Sequence, residues 1–269
     1  MSPLDNARHP KGAAIALIAI CMSAGLALAL PYLKGSVSVN ELEKYRASQP
    51  TQATGDLGLE ITGKSNPATP AHSSNPARSN YLEIDWFGLT SANPDVIGWI
   101  HVPGTNIDHA IAQAHEPNQQ YYLSHDVFQR KSLYGCPYLD ADALAQGGLT
   151  APFPVIYGHH LINGQMFSDF AKFSNREYAQ NHAEIILETP SETLTLKVIA
   201  VNIVNADEEL IRTRFRDPED LNAYLKARFA ESEVKLDVSP ADFYDQVFCF
   251  VTCSYGSENE RTLVYAAPR

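Results

Sequence analysis

The sequence predicts a mainly β domain that closes, or nearly closes, into a barrel with a few peripheral helices. Two observations support this fold class. Many short apolar runs, bounded by turn residues, recur from residue 96 to the C-terminus, and few segments carry helical spacing. The 269 residues are also 45% apolar, which is enough to build a substantial core.

The predicted folded body covers residues 81–269, because the composition changes abruptly at Tyr81. Its first segment, 81–89, predicts a short amphipathic helix. Asp217 is the predicted N-cap of a longer helix, with Pro218 at the first helical position. The other predicted elements are strands at 96–102, 107–112, 136–139, 154–157, 184–188, 193–204, 246–252 and 261–267, and helical segments at 165–173 and 175–181.

The N-terminal segment has the composition of a transmembrane anchor. Residues 1–11 are polar and partly basic, and residues 12–33 contain no charged side chain. As a helix, the second segment would span about 33 Å, close to the roughly 30 Å of a bilayer core. Basic residues before it and an acidic body after it predict a cytoplasmic N-terminus and a single-pass cell-membrane protein with an extracellular body. The alternative is a cleaved signal peptide, because Ala27-Leu28-Ala29 has the A-x-A form.

Residues 34–80 are predicted to be a flexible linker. A short helix is predicted at 41–47, and beyond it Pro, Ser, Thr, Asn, Gly and Ala dominate. That composition buries too little apolar surface to order itself. The segment would therefore lift the folded body away from the membrane.

The charge and cysteine content exclude several function classes. The net charge is −11 and no basic stripe is present, which argues against nucleic-acid binding. The four cysteines, Cys21, Cys136, Cys249 and Cys253, form no CxxC pair, so a structural zinc site is not expected. Two readings stay open for Cys136 and Cys249: reduced core thiols, which we favour, or a disulfide.

Three residues near predicted strand ends form a candidate catalytic group. Cys253 ends one strand and Arg261 opens the next, so a tight loop would bring a thiol and a guanidinium to one end of the barrel. His159 follows another strand and is the candidate acid or base. A cysteine, an arginine or a histidine at a strand end is, taken alone, more often a core or surface residue. Together the three residues provide the groups that nucleophilic cysteine chemistry needs. His159-His160 with His182 lacks the spacing of a metal site, and no metal or other cofactor is predicted.

At these residues the chain resembles a sortase, specifically one of class B. The resemblance extends over the whole predicted body, and its motifs are specific in combination although each alone is weak. The segments that carry it are Asn93-Pro94-Asp95-Val96-Ile97-Gly98-Trp99-Ile100, Pro103-Gly104-Thr105-Asn106-Ile107, Tyr121-Tyr122-Leu123, Tyr157-Gly158-His159, Gly164-Gln165-Met166-Phe167, and Thr252-Cys253-Ser254-Tyr255 with Arg261.

The resemblance implies an eight-stranded sortase barrel and a membrane-anchored cysteine transpeptidase of Gram-positive bacteria. Cys253 would attack the threonyl carbonyl of a C-terminal sorting signal. His159 would protonate the leaving amine and later deprotonate the incoming one, and Arg261 would hold the substrate and stabilise the oxyanion. The implied partners are surface proteins that carry the signal and an amine acceptor, either a peptidoglycan precursor or a pilin lysine. The residues expected to contact the signal are Leu123, Val251, Thr252, Ser254 and Tyr255.

Two positions before Cys253 depart from the family pattern. Val251 lacks a hydroxyl that many members carry there, and Cys249 replaces the usual Thr, either as inert core or as a redox partner. In the linker, residues 66–69 (Asn-Pro-Ala-Thr) resemble the start of a sorting signal, by chance or as a pseudo-substrate. Two other functions also stay open: a cysteine hydrolase of the same signal, and a non-catalytic surface-binding module on the same barrel.

Overall fold

The computed structural model describes residues 40–46, 83–205, 211–236, 244–253 and 260–269. The predicted N-terminus 1–11, the predicted anchor 12–33, the segment 66–69, Ser254 and Tyr255 lie outside these stretches. Among the residues described, no helix is long and apolar enough to cross a membrane.

Eight strands close into a barrel in the described part of the chain, which confirms the predicted fold class. The described stretches contain nine strands, and all of them except β7 form the barrel: β1 (Val96–His101), β2 (Asp108–Gln113), β3 (Tyr138–Leu139), β4 (Val155–His159), β5 (Glu184–Glu188), β6 (Thr193–Asn205), β7 (Val234–Lys235), β8 (Phe248–Cys253) and β9 (Glu260–Pro268). Their order around the barrel is β5-β1-β2-β3-β4-β8-β9-β6, and pairing between β5 and β6 closes the ring.

The two-residue strand β7 lies outside this ring. It pairs with β6 at Ala200 and Val201, just beyond the part of β6 that pairs with β5. The strand is absent from the sequence prediction because two residues are too few to show an alternating pattern.

The direction of three neighbouring strands determines where the candidate site lies. β4 and β8 are parallel, so their C-terminal ends meet at the same rim of the barrel. β9 runs antiparallel to β8, so its N-terminal end lies at that rim as well. The residues His159, Cys253 and Arg261 sit at these three ends.

Apolar side chains from all eight barrel strands fill the interior, and three phenylalanines complete the packing. Phe167, Phe170 and Phe173 are fully buried there. The sequence predicts helical spacing at 165–173, and the structure has a 3₁₀ helix at Ser168–Ser174. A 3₁₀ helix repeats every three residues, so this form keeps the three rings on one side, whereas an α-helix would spread them.

Four complete α-helices and further short 3₁₀ helices pack around the barrel in the described stretches. They are α1 (Trp86–Ala92), α2 (Ala141–Leu144), α3 (Arg176–Asn181) and α4 (Pro218–Ala230), with 3₁₀ helices Glu43–Tyr45, Tyr121–Leu123 and Gly148–Thr150. In α4 the predicted N-cap is confirmed, because the Asp217 carboxylate accepts a 2.8 Å hydrogen bond from the Asp220 N–H. Leu221, Leu225 and Phe229 of α4 cover the outer face of β8 and β9.

Part of the predicted linker is packed on the barrel. Within residues 40–46, Leu42 is buried in an apolar cluster with Trp99 and Leu89. The Arg46 guanidinium pairs with the Asp108 carboxylate. The chain is therefore attached to the barrel well before the point at which the predicted body begins.

Candidate active site

His159 and Cys253 are neighbours across the β4–β8 pair. The parallel register runs from Val155 opposite Cys249 to His159 opposite Cys253 without a bulge. Both residues are the last of their strands, so the pairing ends on the two candidate catalytic positions. A thiol-bearing position and an imidazole-bearing position, far apart in sequence, are thus adjacent in the sheet.

Arg261 is placed by the β8–β9 register. The regular pairs end at Val251 opposite Leu263. One residue further, the Thr262 N–H donates a 3.1 Å hydrogen bond to the Thr252 hydroxyl. The same register continued by one more step sets Arg261 opposite Cys253, and Arg261 is partly buried there.

The three positions also share one phase of the strand alternation. On β4, β8 and β9, the residues two positions closer to the strand middle are Tyr157, Val251 and Leu263. All three belong to, or pack against, the apolar cluster that α4 covers. Because side chains alternate between faces along a strand, positions in phase with this cluster belong to the outer face of the barrel.

The imidazole of His159 is almost fully buried, with 3% of the residue exposed. Its Nε2 lies 2.6 Å from the carbonyl oxygen of Leu123. A carbonyl oxygen can only accept, so Nε2 carries a hydrogen and donates it. Burial lowers the pKa of His159, and the hydrogen bond to Leu123 opposes that shift only in part. The ring is therefore neutral at pH 7.

Two glycines allow close approaches in this region, one beside the imidazole and one beside the Phe167 ring. At Gly135, which has a φ of +62°, a Cβ would lie 2.5 Å from the Tyr122 carbonyl oxygen and 3.0 Å from His159 Cδ2. At Gly158, a Cβ would lie 2.5 Å from the Phe167 ring. Gly158 lies within β4, and its lack of a side chain permits the close approach of that ring.

The predicted substrate-contacting residues differ in their environments. Leu123 is partly exposed, and its carbonyl oxygen is the one that binds His159. Val251 is fully buried in the cluster beneath α4. Thr252 is 1% exposed, and its hydroxyl joins β8 to β9 through the backbone of Thr262. Ser254 and Tyr255 lie outside the described residues.

The two described cysteines other than Cys253 are core residues, and no disulfide joins them. The Cys136 thiol is buried 3.3 Å from the Pro137 carbonyl oxygen, and burial raises its pKa. Cys249 is fully buried on β8. These observations agree with the reduced core thiols that the sequence favoured. In the stretches that the structure covers, no group of three or more His, Cys, Asp or Glu residues is arranged to hold a metal ion.

The features that sequence analysis missed are mainly backbone groups. Neither the Leu123 carbonyl nor the space beside Gly135 has a side-chain signature. The tripeptide Tyr121-Tyr122-Leu123 is one of the segments that carry the family resemblance. Its sequence does not show that one of its carbonyl groups binds the imidazole. Gly135 between Tyr134 and Cys136 was the one available signal, since an isolated glycine often marks a close backbone approach.

A closed barrel with a histidine and a cysteine at neighbouring strand ends has the groups that an enzyme using thiol acyl chemistry needs. A family comparison identifies the particular group: the Sortase domain model matches residues 100–269, and the chain belongs to the sortase family. It is an enzyme, a sortase-type cysteine transpeptidase.

Three similar proteins are sortase B enzymes from other bacteria. The chain is 25% identical to sortase B of Listeria monocytogenes over 64% of this chain and 68% of that protein. It is 23% identical to sortase B of Staphylococcus aureus over 66% of this chain and 72% of that protein. The crystal structure of sortase B from Clostridium perfringens superposes with a TM-score of 0.60 at 29% identity, covering 68% of this chain and 98% of that one. These relatives support the resemblance to class B.

Proposed function

We propose that the protein cleaves a C-terminal sorting signal after threonine and transfers the surface protein to an amine. The observation that carries the proposal is the register that ends on His159 opposite Cys253, with Arg261 in line on the next strand. A thiol, an imidazole and a guanidinium are the groups that thiol acyl transfer requires.

In the first half-reaction, the neutral imidazole of His159 takes the proton of the Cys253 thiol, and the thiolate adds to the threonyl carbonyl. The Arg261 guanidinium stabilises the oxyanion that forms. As the intermediate collapses, the carbon–nitrogen bond breaks and the imidazolium gives its proton to the leaving amine. The products are an acyl-enzyme thioester and the released C-terminal fragment.

In the second half-reaction, an incoming amine adds to the thioester carbonyl and loses a proton to the neutral imidazole. The carbon–sulfur bond breaks, the thiolate regains its proton, and an amide joins the surface protein to its acceptor. The lowered pKa of His159 supports this cycle, because each half-reaction begins with an uncharged ring.

The substrates, acceptor and location belong to the same proposal. The substrates would be surface proteins with a sorting signal, and the acceptor a peptidoglycan precursor or a pilin lysine. Residues 12–33 would anchor the enzyme in the cell membrane with its catalytic domain outside. Substrates that cross the same membrane would then arrive on the side where the barrel is held.

The test is turnover of a panel of sorting-signal peptides by the wild type and by Cys253→Ala, with and without a panel of amines. We expect a peptide–amine product that depends on Cys253. Turnover that survives Cys253→Ala, or no turnover of any peptide, would overturn the proposal. Release of the threonyl acid at the same rate with and without amines would favour the hydrolase instead.

A further inference from the structure

A buried polar network lies beneath the turn that contacts His159. Tyr122 is 1% exposed, and its hydroxyl donates a 2.7 Å hydrogen bond to the Asp95 carboxylate. The same hydroxyl accepts a 2.9 Å hydrogen bond from the Asn93 side-chain amide. Burial and the Asp95 carboxylate raise the pKa of Tyr122, so the hydroxyl remains a donor at every working pH.

The partners of this hydroxyl are themselves held in place. Asn93 is fully buried, donates to the Val127 carbonyl oxygen at 2.8 Å and accepts from the Gln129 side chain at 2.8 Å. Asp95 also contacts His115, at 3.0 Å. Every polar group that reaches the Tyr122 hydroxyl is thus fixed by at least one further contact.

The backbone of Tyr122 is fixed as well. Its carbonyl oxygen accepts a 2.9 Å hydrogen bond from the Cys136 N–H. The side chain and the backbone carbonyl of Tyr122 therefore both fix the middle of the 3₁₀ helix Tyr121–Leu123. The next carbonyl along the chain is that of Leu123, which accepts the hydrogen of His159 Nε2.

We infer that Tyr122 is a positioning residue of the reaction, which holds the Leu123 carbonyl so that His159 keeps one proton on Nε2 and exchanges the other through Nδ1. A carbonyl cannot donate, so Nε2 stays protonated in both the neutral and the charged ring. The nitrogen whose protonation changes during turnover is then Nδ1. This inference rests on the proposed catalytic role of His159.

The experiment compares Tyr122→Phe with Tyr121→Phe. Tyr121 is the matched control, because it lies on the same turn and its hydroxyl makes one long, exposed hydrogen bond of 3.3 Å to the Gln129 carbonyl oxygen. We expect Tyr122→Phe to lower kcat about tenfold, the effect of one lost hydrogen bond, with KM within about twofold. Tyr121→Phe should match the wild type in both constants.

A second readout separates positioning from simple stabilisation. Nitrogen-15 NMR of the histidine rings, with His159→Gln to assign the signal, reports which nitrogen carries the proton in the neutral ring. We expect the wild type to hold it on Nε2, and Tyr122→Phe to populate both tautomers and to shift the pH profile of kcat. Thermal unfolding shows whether the variant remains folded at the assay temperature.

Three results would overturn the inference: a wild-type ring protonated on Nδ1, a Tyr122→Phe variant with wild-type kcat, or a slower variant with an unchanged tautomer and pH profile. The NMR measurement needs no substrate. Failure of the proposed function would instead appear as turnover that survives Cys253→Ala, while the tautomer result stands independently.

Discussion

Replacing Gly135 by alanine tests how tightly the backbone encloses the imidazole of His159. Its φ of +62° is in the left-handed region, where a side chain costs about 1 kcal/mol. The added Cβ would also lie 2.5 Å from the Tyr122 carbonyl oxygen, which is backbone and is held by Cys136. Overpacking of this kind costs roughly 1–3 kcal/mol. We therefore expect a total loss of about 3 kcal/mol in the free energy of unfolding.

Gly148 provides the control. Its φ of +67° is nearly the same, but a Cβ there would meet nothing within 4 Å. Gly148→Ala should lose only the conformational cost, about 1 kcal/mol. Urea unfolding of the two variants and the wild type measures the difference, which we expect to be about 2 kcal/mol.

The same pair of variants separates stability from activity. At a temperature where both remain folded, Gly135→Ala should transfer acyl groups at least about tenfold more slowly, since its Cβ displaces the Leu123 turn or the His159 ring. Gly148→Ala should retain wild-type rates. Equal losses of stability in the two variants, or full activity in Gly135→Ala, would refute the claim that this backbone approach shapes the site.

Three further predictions concern the barrel around the site. Thr252→Val should lower the free energy of unfolding by about 2 kcal/mol, because it leaves the Thr262 N–H buried without its partner; Thr252→Ser should restore most of it in urea titrations. Leu42→Ala should cost about 2 kcal/mol in the same assay, whereas exposed Lys44→Ala should cost little. Burial lowers the pKa of His109 to about 4. Between that pH and about 6.5, the unfolded chain therefore binds a proton on this histidine and the native state does not. Stability should therefore fall as the pH drops from about 6.5 toward 4, by at most about 3 kcal/mol, and His109→Gln should flatten that slope.

Clear results would contradict these three predictions. An unchanged unfolding midpoint in Thr252→Val would mean that the hydroxyl contributes nothing to the β8–β9 junction. Equal effects of Leu42→Ala and Lys44→Ala would mean that residues 40–46 add no packing energy. An identical pH slope in the wild type and His109→Gln would remove that histidine as the source of acid sensitivity.

The parts of the fold that the sequence predicts are those with a local chemical signal. The N-cap of α4 is such a case, because Asp217 followed by Pro218 has one physical meaning. The positions of His159 and Cys253 near the ends of two strands were predicted from the sequence. The parallel register that pairs them was not, because strand direction depends on the connection and not on the paired residues.

Other features depend on tertiary contacts that cannot be predicted from any single residue. Val251 is expected near substrate from the family resemblance, and its full burial under α4 could not be read from the sequence. The 3₁₀ form of Ser168–Ser174 follows from the need to keep three rings inside the barrel, which only the assembled barrel imposes. The hydrogen bond between the Leu123 carbonyl and His159 likewise depends on where the turn lies and not on the leucine side chain.

The attachment of residues 40–46 to the barrel changes the reach of the enzyme. A free linker over 34–80 would have a contour length of about 160 Å. With Leu42 and Arg46 bound to the barrel, only residues 34–39 separate the body from the proposed anchor, and that stretch spans at most about 25 Å. Under the proposed anchoring, the barrel surface that binds Leu42 and Arg46 would therefore be held within about 25 Å of the lipid surface.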